Sequence, residues 1–263
     1  MGVLLLFNGG LMLLSSLVSY CYQDGVTFEI TLAAFLVLSI GALFMLFGRQ
    51  HEKQIQKREG YLIVSLGWML MALTGTLPYL LTGTFAGFSS SFFETMSGYT
   101  TTGASVLNDI EIVPKGILFW RSTTHWIGGM GIIVLAIAIL PFLGIGGIQL
   151  FTAEAPGPGG DKLHPRITDT AKRLWLIYLV YTCLETLLLW LAGMSFFDAV
   201  NHSMSTVSTG GFSTKNASIA FWNDAPIIQY IITFFMFLAG TNFVLSYFIF
   251  TRNFHKIIAD EEF

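Results

Sequence analysis

The sequence predicts an all-α membrane protein of about six transmembrane helices and two re-entrant pore helices, arranged as span–pore loop–span repeats. Three observations predict it. Of 263 residues, 54% are hydrophobic and 11% charged, with mean hydropathy +0.67; a soluble domain carries about 25% charged residues. Six apolar runs approach the roughly 20 residues that a bilayer crossing needs. Two short uncharged stretches are lodged between those runs: Ser97-Gly98-Tyr99-Thr100-Thr101-Thr102-Gly103-Ala104-Ser105 and Ser205-Thr206-Val207-Ser208-Thr209-Gly210-Gly211-Phe212-Ser213-Thr214. Polar, irregular backbone at membrane depth is tolerated only where it lines a cavity or is buried in protein. Both stretches are therefore candidates for a pore lining.

In chain order, the expected spans are residues 3–22, 30–47, 61–81, 117–142, 174–191 and 226–250. Residues 1–22 lack the positive region of a signal peptide and run apolar too long for one, which favours a retained helix. Segments 90–99 and 196–207 are too short to cross and fit re-entrant helices. Four units result: an N-terminal helix pair with a cytoplasmic loop (1–60), a first repeat (61–145), a cytoplasmic loop (146–173) and a second repeat (174–263). Cys21 and Cys183 form neither a metal spacing nor a disulfide framework and are read as small, buried apolar residues.

Charge sets the orientation. Arg49, Lys53, Lys57, Arg58, Lys162, Arg166, Lys172, Arg173, Arg252 and Lys256 fall on one side, and Lys115, Arg121 and Lys215 on the other. Lysine and arginine accumulate in cytoplasmic loops, so both termini are expected in the cytoplasm. The opposite side carries Asp24, Glu29, Glu94, Asp109, Glu111, Asp198 and Asp224, a set that attracts cations to a mouth. The net charge of −3 and the lack of a basic cluster argue against a nucleic-acid partner.

The two repeats run in the same direction, about an axis along the membrane normal. Aligned without gaps, Gly103 falls on Gly210, Thr102 on Thr209 and Glu94 on Asn201. The chemistry follows from this arrangement. A ring of backbone carbonyls can replace a cation's hydration shell without fixed charge. Glycine lets the strand turn its carbonyls inward, hydroxyls tie it to the helix behind, and each short helix aims its negative C-terminal end at the ion. The expected ion-binding residues are Thr100, Thr101, Thr102 and Gly103, with Val207, Ser208, Thr209 and Gly210. Glu94 and Asn201 are expected to brace the filter, and Gly211 to serve packing or the turn out of it.

Several motifs, in order, resemble the TrkH/TrkG/KtrB potassium transporter family. They are Phe93-Glu94-Thr95-Met96-Ser97-Gly98-Tyr99-Thr100-Thr101-Thr102-Gly103-Ala104, then Trp120-Arg121-Ser122 with His125-Trp126-Ile127-Gly128-Gly129-Met130-Gly131. Ala153-Glu154-Ala155-Pro156-Gly157-Pro158, Asp161-Lys162-Leu163-His164-Pro165-Arg166 and Asp198-Ala199-Val200-Asn201-His202 follow, ahead of the second polar stretch. The resemblance covers residues 61–250; the first two spans match by position only. It implies four pore repeats, each with a filter glycine (Gly103 and Gly210 here), and potassium, in some members with sodium, as the permeant ion. It implies no organic cofactor, homodimers in the bacterial inner membrane, and a cytoplasmic nucleotide-binding regulator of the TrkA/KtrA type. Two repeats stand here where the family has four, so the chain reads as part of a longer polypeptide, or as one of two copies that complete a pore.

The other marked residues have ordinary readings. Asp198 is expected to N-cap the second short helix. Gly128, Gly129 and Gly131 suit close helix packing, Trp126 near the outer end of its span an interfacial anchor, and Arg121 a snorkelling side chain. Glu185 is expected to face protein and pair with a hydroxyl. Gly157-Pro158-Gly159-Gly160 lacks the ending of a phosphate loop. The competing functions are an intramembrane enzyme built on His125, Glu185 or His202, which no nucleophile–base or metal spacing joins, and a non-conducting structural subunit.

Overall fold

The computed structural model describes residues 1–48, 57–131 and 167–241, which are helical with no strand. Four stretches, Gly2–Tyr22, Thr27–Phe47, Leu62–Leu81 and Lys172–Leu191, are long and apolar enough to cross a membrane. The far parts of expected spans 117–142 and 226–250 lie outside the described residues. So do Arg49, Lys53, Lys162, Arg166, Arg252, Lys256 and the Gly157–Gly160 turn.

Helices α1 (Gly2–Tyr22) and α2 (Thr27–Phe47) form an antiparallel hairpin. Small residues allow close backbones: a Cβ at Gly9 would lie 2.7 Å from Leu38 Cγ, and one at Gly41 3.0 Å from Leu6 N. Hydroxyls cross the same seam, with Ser16 Oγ 2.5 Å from Thr31 Oγ1 and Ser19 Oγ 2.9 Å from Thr27 Oγ1. The outer face of α2 exposes Phe28, Phe35, Leu43 and Phe47, which suits lipid. Cys21 and Cys183 are also exposed, against the expectation of burial.

The expected span 61–81 is bent. Helix α3 (Lys57–Gly75) gives way at Thr76 to α4 (Leu77–Leu81). Pro78 has no N–H to donate and its ring crowds the carbonyl four residues back. The Gly75 carbonyl beside the bend accepts a hydrogen bond from Trp120 Nε1 at 3.0 Å.

Helix α5 (Phe88–Tyr99) and helix α8 (Phe196–Val207) have 12 residues each. At 1.5 Å per residue that is roughly 18 Å, little more than half of a 30 Å hydrocarbon core. Each leads into one of the polar stretches. Helix α6 (Lys115–Gly129) follows the first, and α9 (Pro226–Gly240), after a 3-10 turn at Ser218–Trp222, follows the second. Helix α7 (Ile167–Leu191) precedes α8. Within the described part of expected span 117–142, α6 stops at Gly129, with Met130 as its cap and Gly131 at φ 65°.

Helix α6 is the centre of the packing. Its N-terminal half shares a core with the N-terminal hairpin and α4, built on Leu5, Met12, Ile30, Tyr79, Ile117 and Trp120. Past its C-terminal end, Met130 joins Tyr178, Val207 and Phe235 from α7, α8 and α9. Asp24, between α1 and α2, accepts the Gly116 N–H at 2.7 Å and so satisfies the first turn of α6.

Candidate functional site

Both short helices end in the same hydrogen-bonded turn. In the first, Thr101 N–H donates to Gly98 O at 3.0 Å and Thr102 N–H to Ser97 O at 3.0 Å. In the second, Thr209 N–H donates to Thr206 O at 2.9 Å and Gly210 N–H to Ser205 O at 2.9 Å. These are Schellman closures, with a threonine in the left-handed position: Thr101 at φ 53° and Thr209 at φ 57°. A left-handed residue with a side chain costs roughly 1–2 kcal/mol. Two residues on, Gly103 has φ 73° and Gly211 φ 89°. The closures consume amide donors and carbonyls of the helix ends. No hydrogen bond from the described residues reaches the carbonyls of residues 100–103 or 208–211.

This backbone corrects the repeat register by one residue. Thr101 stands opposite Thr209, Thr102 opposite Gly210, and Gly103 opposite Gly211 rather than Gly210. In the same register Glu94 stands opposite His202, not Asn201. The ungapped alignment matched Thr-Gly to Thr-Gly. The structural match is set by the helix-end closure, which no letter in the Gly210-Gly211 doublet announces.

The braces confirm the shift. Ser105 Oγ donates to Glu94 Oε1 at 2.9 Å and accepts Leu107 N–H at 3.1 Å. Ser213 Oγ lies 3.0 Å from His202 Nε2 and accepts Lys215 N–H at 3.0 Å. His202 Nδ1 is 2.8 Å from the Asp198 carbonyl, so in the neutral ring Nδ1 carries the proton and Nε2 accepts from Ser213. In both loops, then, a serine on the returning strand donates to an acceptor on the short helix.

Helix α6 walls both loops. A Cβ at Gly128 would run into the Tyr99 backbone, and one at Gly129 would lie 2.6 Å from Ser208 Cα. Its end therefore touches the C-termini of α5 and α8 together. His125 is buried, stacks on Phe212 with centroids 3.7 Å apart, and sits where a side chain at Gly210 would go. A Cβ at Gly103 would collide with the Gly210 carbonyl oxygen, so the two strands meet at their glycines.

The family model described as TrkH, cation transport protein, matches residues 26–263. The chain belongs to this family. The TrkH potassium uptake protein of Salmonella typhimurium LT2 is 45% identical over 248 residues, covering 94% of this chain and 51% of that protein. TrkG of Escherichia coli K12 is 38% identical over 227 residues, 86% of this chain and 46% of that protein. The crystal structure of the potassium transporter TrkH from Vibrio parahaemolyticus superposes with a TM-score of 0.79 at 40% identity, over 95% of this chain and 50% of that one. The chain spans about half the length of the curated relatives it matches.

Within this family fold, several marked residues depart from their expected roles. Asn201 does not brace the strand: its Nδ2 donates to Phe197 O at 2.7 Å within its own helix. The N-cap of α8 is Ser195, with Asp198 three residues on in a reciprocal box: Asp198 N–H donates to Ser195 Oγ at 3.1 Å, and that hydroxyl to Asp198 Oδ2 at 2.7 Å. Trp126 is half-buried, and its Nε1 donates to Thr182 Oγ1 at 3.0 Å, tying α6 to α7. Arg121 does not snorkel, being 2% exposed and paired with Glu94 at 2.6 Å. Glu94 holds Ser105 and also accepts Val106 N–H at 3.0 Å. Glu185 faces protein, and the Thr206 hydroxyl is close enough to influence it, but neither carboxyl oxygen completes a hydrogen bond among the described residues.

The acids expected at the mouth are mostly engaged too. Asn216 Nδ2 donates to Asp109 Oδ1 at 2.8 Å and its N–H to Glu111 Oε1 at 3.2 Å, clasping the loops that follow the two polar stretches. Asp24 serves α6 and Asp198 serves α8. A residue missed in the sequence is Asn8 of α1. It accepts from Tyr99 Oη at 2.6 Å and donates to Thr74 Oγ1 at 3.2 Å, wiring the N-terminal helix to the end of α5. A polar residue alone in an apolar run was the available signal.

Proposed function

We propose that the chain forms part of a membrane pathway for potassium, lined by the two loops and operating without covalent chemistry. The observation that carries the reading is the set of backbone carbonyls at residues 100–103 and 208–211 left without hydrogen-bond donors among the described residues. They follow the negative ends of two half-length helices, where a cation is favoured. Carbonyl oxygens at this density suit a dehydrated monovalent cation. The relatives' names give potassium as the ion they take up, and sodium is the competitor to test. Gly103 and Gly211 are the proposed filter glycines. Thr101, Thr102, Thr209 and Gly210 flank them, while Thr100, Val207 and Ser208 form the helix-end turns.

Two strands make half of the four-fold ring that the family resemblance implies, and the other half comes from further sequence or from a second copy. The proposed setting is the inner membrane with both termini cytoplasmic, a homodimer, and a nucleotide-binding regulator of the TrkA/KtrA type below it. Ion flux tests the reading. The whole polypeptide as its gene encodes it, purified into liposomes, is expected to pass potassium along a gradient. Absence of flux, or flux indifferent to substitution of Gly103 and Gly211, contradicts it.

A further inference from the structure

Arg121 makes contacts that neither loop alone requires. Its Nε donates to Glu94 Oε1 at 2.6 Å, on the short helix of the first repeat. Its Nη1 donates to the Ser213 carbonyl at 3.0 Å, on the returning strand of the second. Its guanidinium carbon lies 3.6 Å from the Phe212 ring centroid, on the same returning strand. Glu94 completes the chain by holding Ser105 and Val106 of the first returning strand. One buried cation thus links both strands that leave the filter region.

Bracing by itself does not need this charge. In the second repeat, the neutral pair His202–Ser213 holds the equivalent strand, and α9 has no charged residue at all. A buried arginine at membrane depth is expensive and marks a function by default. Its planar fork can engage a carboxylate and a carbonyl at once, which a neutral side chain of similar size does less well. What Arg121 supplies is the crossing between repeats, and carbonyl filters discriminate ions by the number and spacing of their oxygens.

We propose that Arg121 is a positioning residue for ion selectivity, fixing the separation of the two pore loops through Glu94, Ser213 and Phe212. It acts on the ion through the backbone and does not contact it. The inference rests on the pore reading above.

The test measures potassium and sodium flux through the whole polypeptide in liposomes, for wild type, R121Q, R121K, E94Q and the E94Q/R121Q double variant. The potassium-to-sodium flux ratio is expected to fall about tenfold in R121Q and in E94Q. The double variant should fall no further, because both changes cut one link. R121K, which keeps the charge but not the fork, should recover part of the ratio. A wild-type ratio in R121Q and E94Q, even at reduced total flux, assigns Arg121 to folding alone and overturns the proposal. If R121Q fails to reach the membrane, E94Q and R121K decide on the same ratio. Loss of all three from the membrane also overturns it. Failure of the pore reading looks different: wild type carries no ion, or Gly103→Ala changes nothing.

Discussion

In the first loop, Thr100 and Thr102 are exposed, and the returning strand is tied to a buried carboxylate that is itself paired with Arg121. In the second, Ser208 and Gly210 are buried against α6, and the strand is tied to a neutral histidine. The two hydrogen bonds of each backbone closure are nevertheless the same: 3.0 Å and 3.0 Å in the first loop, 2.9 Å and 2.9 Å in the second. The comparison teaches which part of the arrangement is constrained. Direction of the carbonyls is set by the helix-end closure and by glycine two residues later. The acceptor that steadies the strand can be charged or neutral, provided a serine donates to it.

The largest expected effect strikes the structure that serves both loops. Gly128→Ala drives a methyl into Tyr99, and Gly129→Ala drives one against Ser208. Each is expected to destabilise the folded protein by about 3 kcal/mol, the upper range for overpacking. Thermal unfolding in detergent, followed by tryptophan fluorescence, measures it. Losses under about 0.5 kcal/mol would separate α6 from the pore helices.

Next come the glycines that the structure pairs. Gly103→Ala and Gly211→Ala both place a side chain in a left-handed conformation, at a cost of roughly 1–2 kcal/mol. Gly103→Ala adds a collision with the Gly210 carbonyl, whereas a Cβ at Gly211 meets nothing within 4 Å. Potassium flux is expected to drop about tenfold or more in both, more severely at Gly103. Equal tolerance at the two positions breaks the pairing.

Gly210→Ala sharpens the register. Its methyl enters the space of the His125 ring, so a loss of stability of about 1.5 kcal/mol is expected. His125→Ala in the same chain should restore much of it. Under the alignment that pairs Gly103 with Gly210, Gly210→Ala would instead mimic Gly103→Ala in flux and gain nothing from the second change. The smallest effects belong to the serine braces. Ser105→Ala and Ser213→Ala should each cost about 1 kcal/mol, by the same unfolding measurement, and a clear inequality would show that the charged and neutral acceptors are not equivalent.

Much of this architecture was legible beforehand. Hydropathy located the four long apolar stretches of the described residues, and length marked α5 and α8 as too short to cross. The polar stretches stood out because hydroxyls and glycines sit where lipid-facing backbone is forbidden. What the letters did not carry was three-dimensional pairing. Arg121 reads as a surface cation until Glu94 and Ser213 are seen beside it. Asn201 and His202 are neighbours in sequence, and only the helix-end closure decides which of them stands opposite Glu94. The break of α6 after Gly129 was hidden in a glycine run that served equally well as a packing motif. The Asn8–Tyr99 bond joins residues 91 positions apart, beyond any local pattern.

The central claim is that the carbonyls of the two loops, which no donor among the described residues reaches, bind the permeant cation in the register that pairs Gly103 with Gly211. Anomalous diffraction from crystals of the whole polypeptide grown with rubidium or thallium tests it most directly. The account predicts a peak between the loops, ligated by backbone oxygens of residues 101–103 and 209–211. A cation found elsewhere, with those oxygens unoccupied, would contradict it.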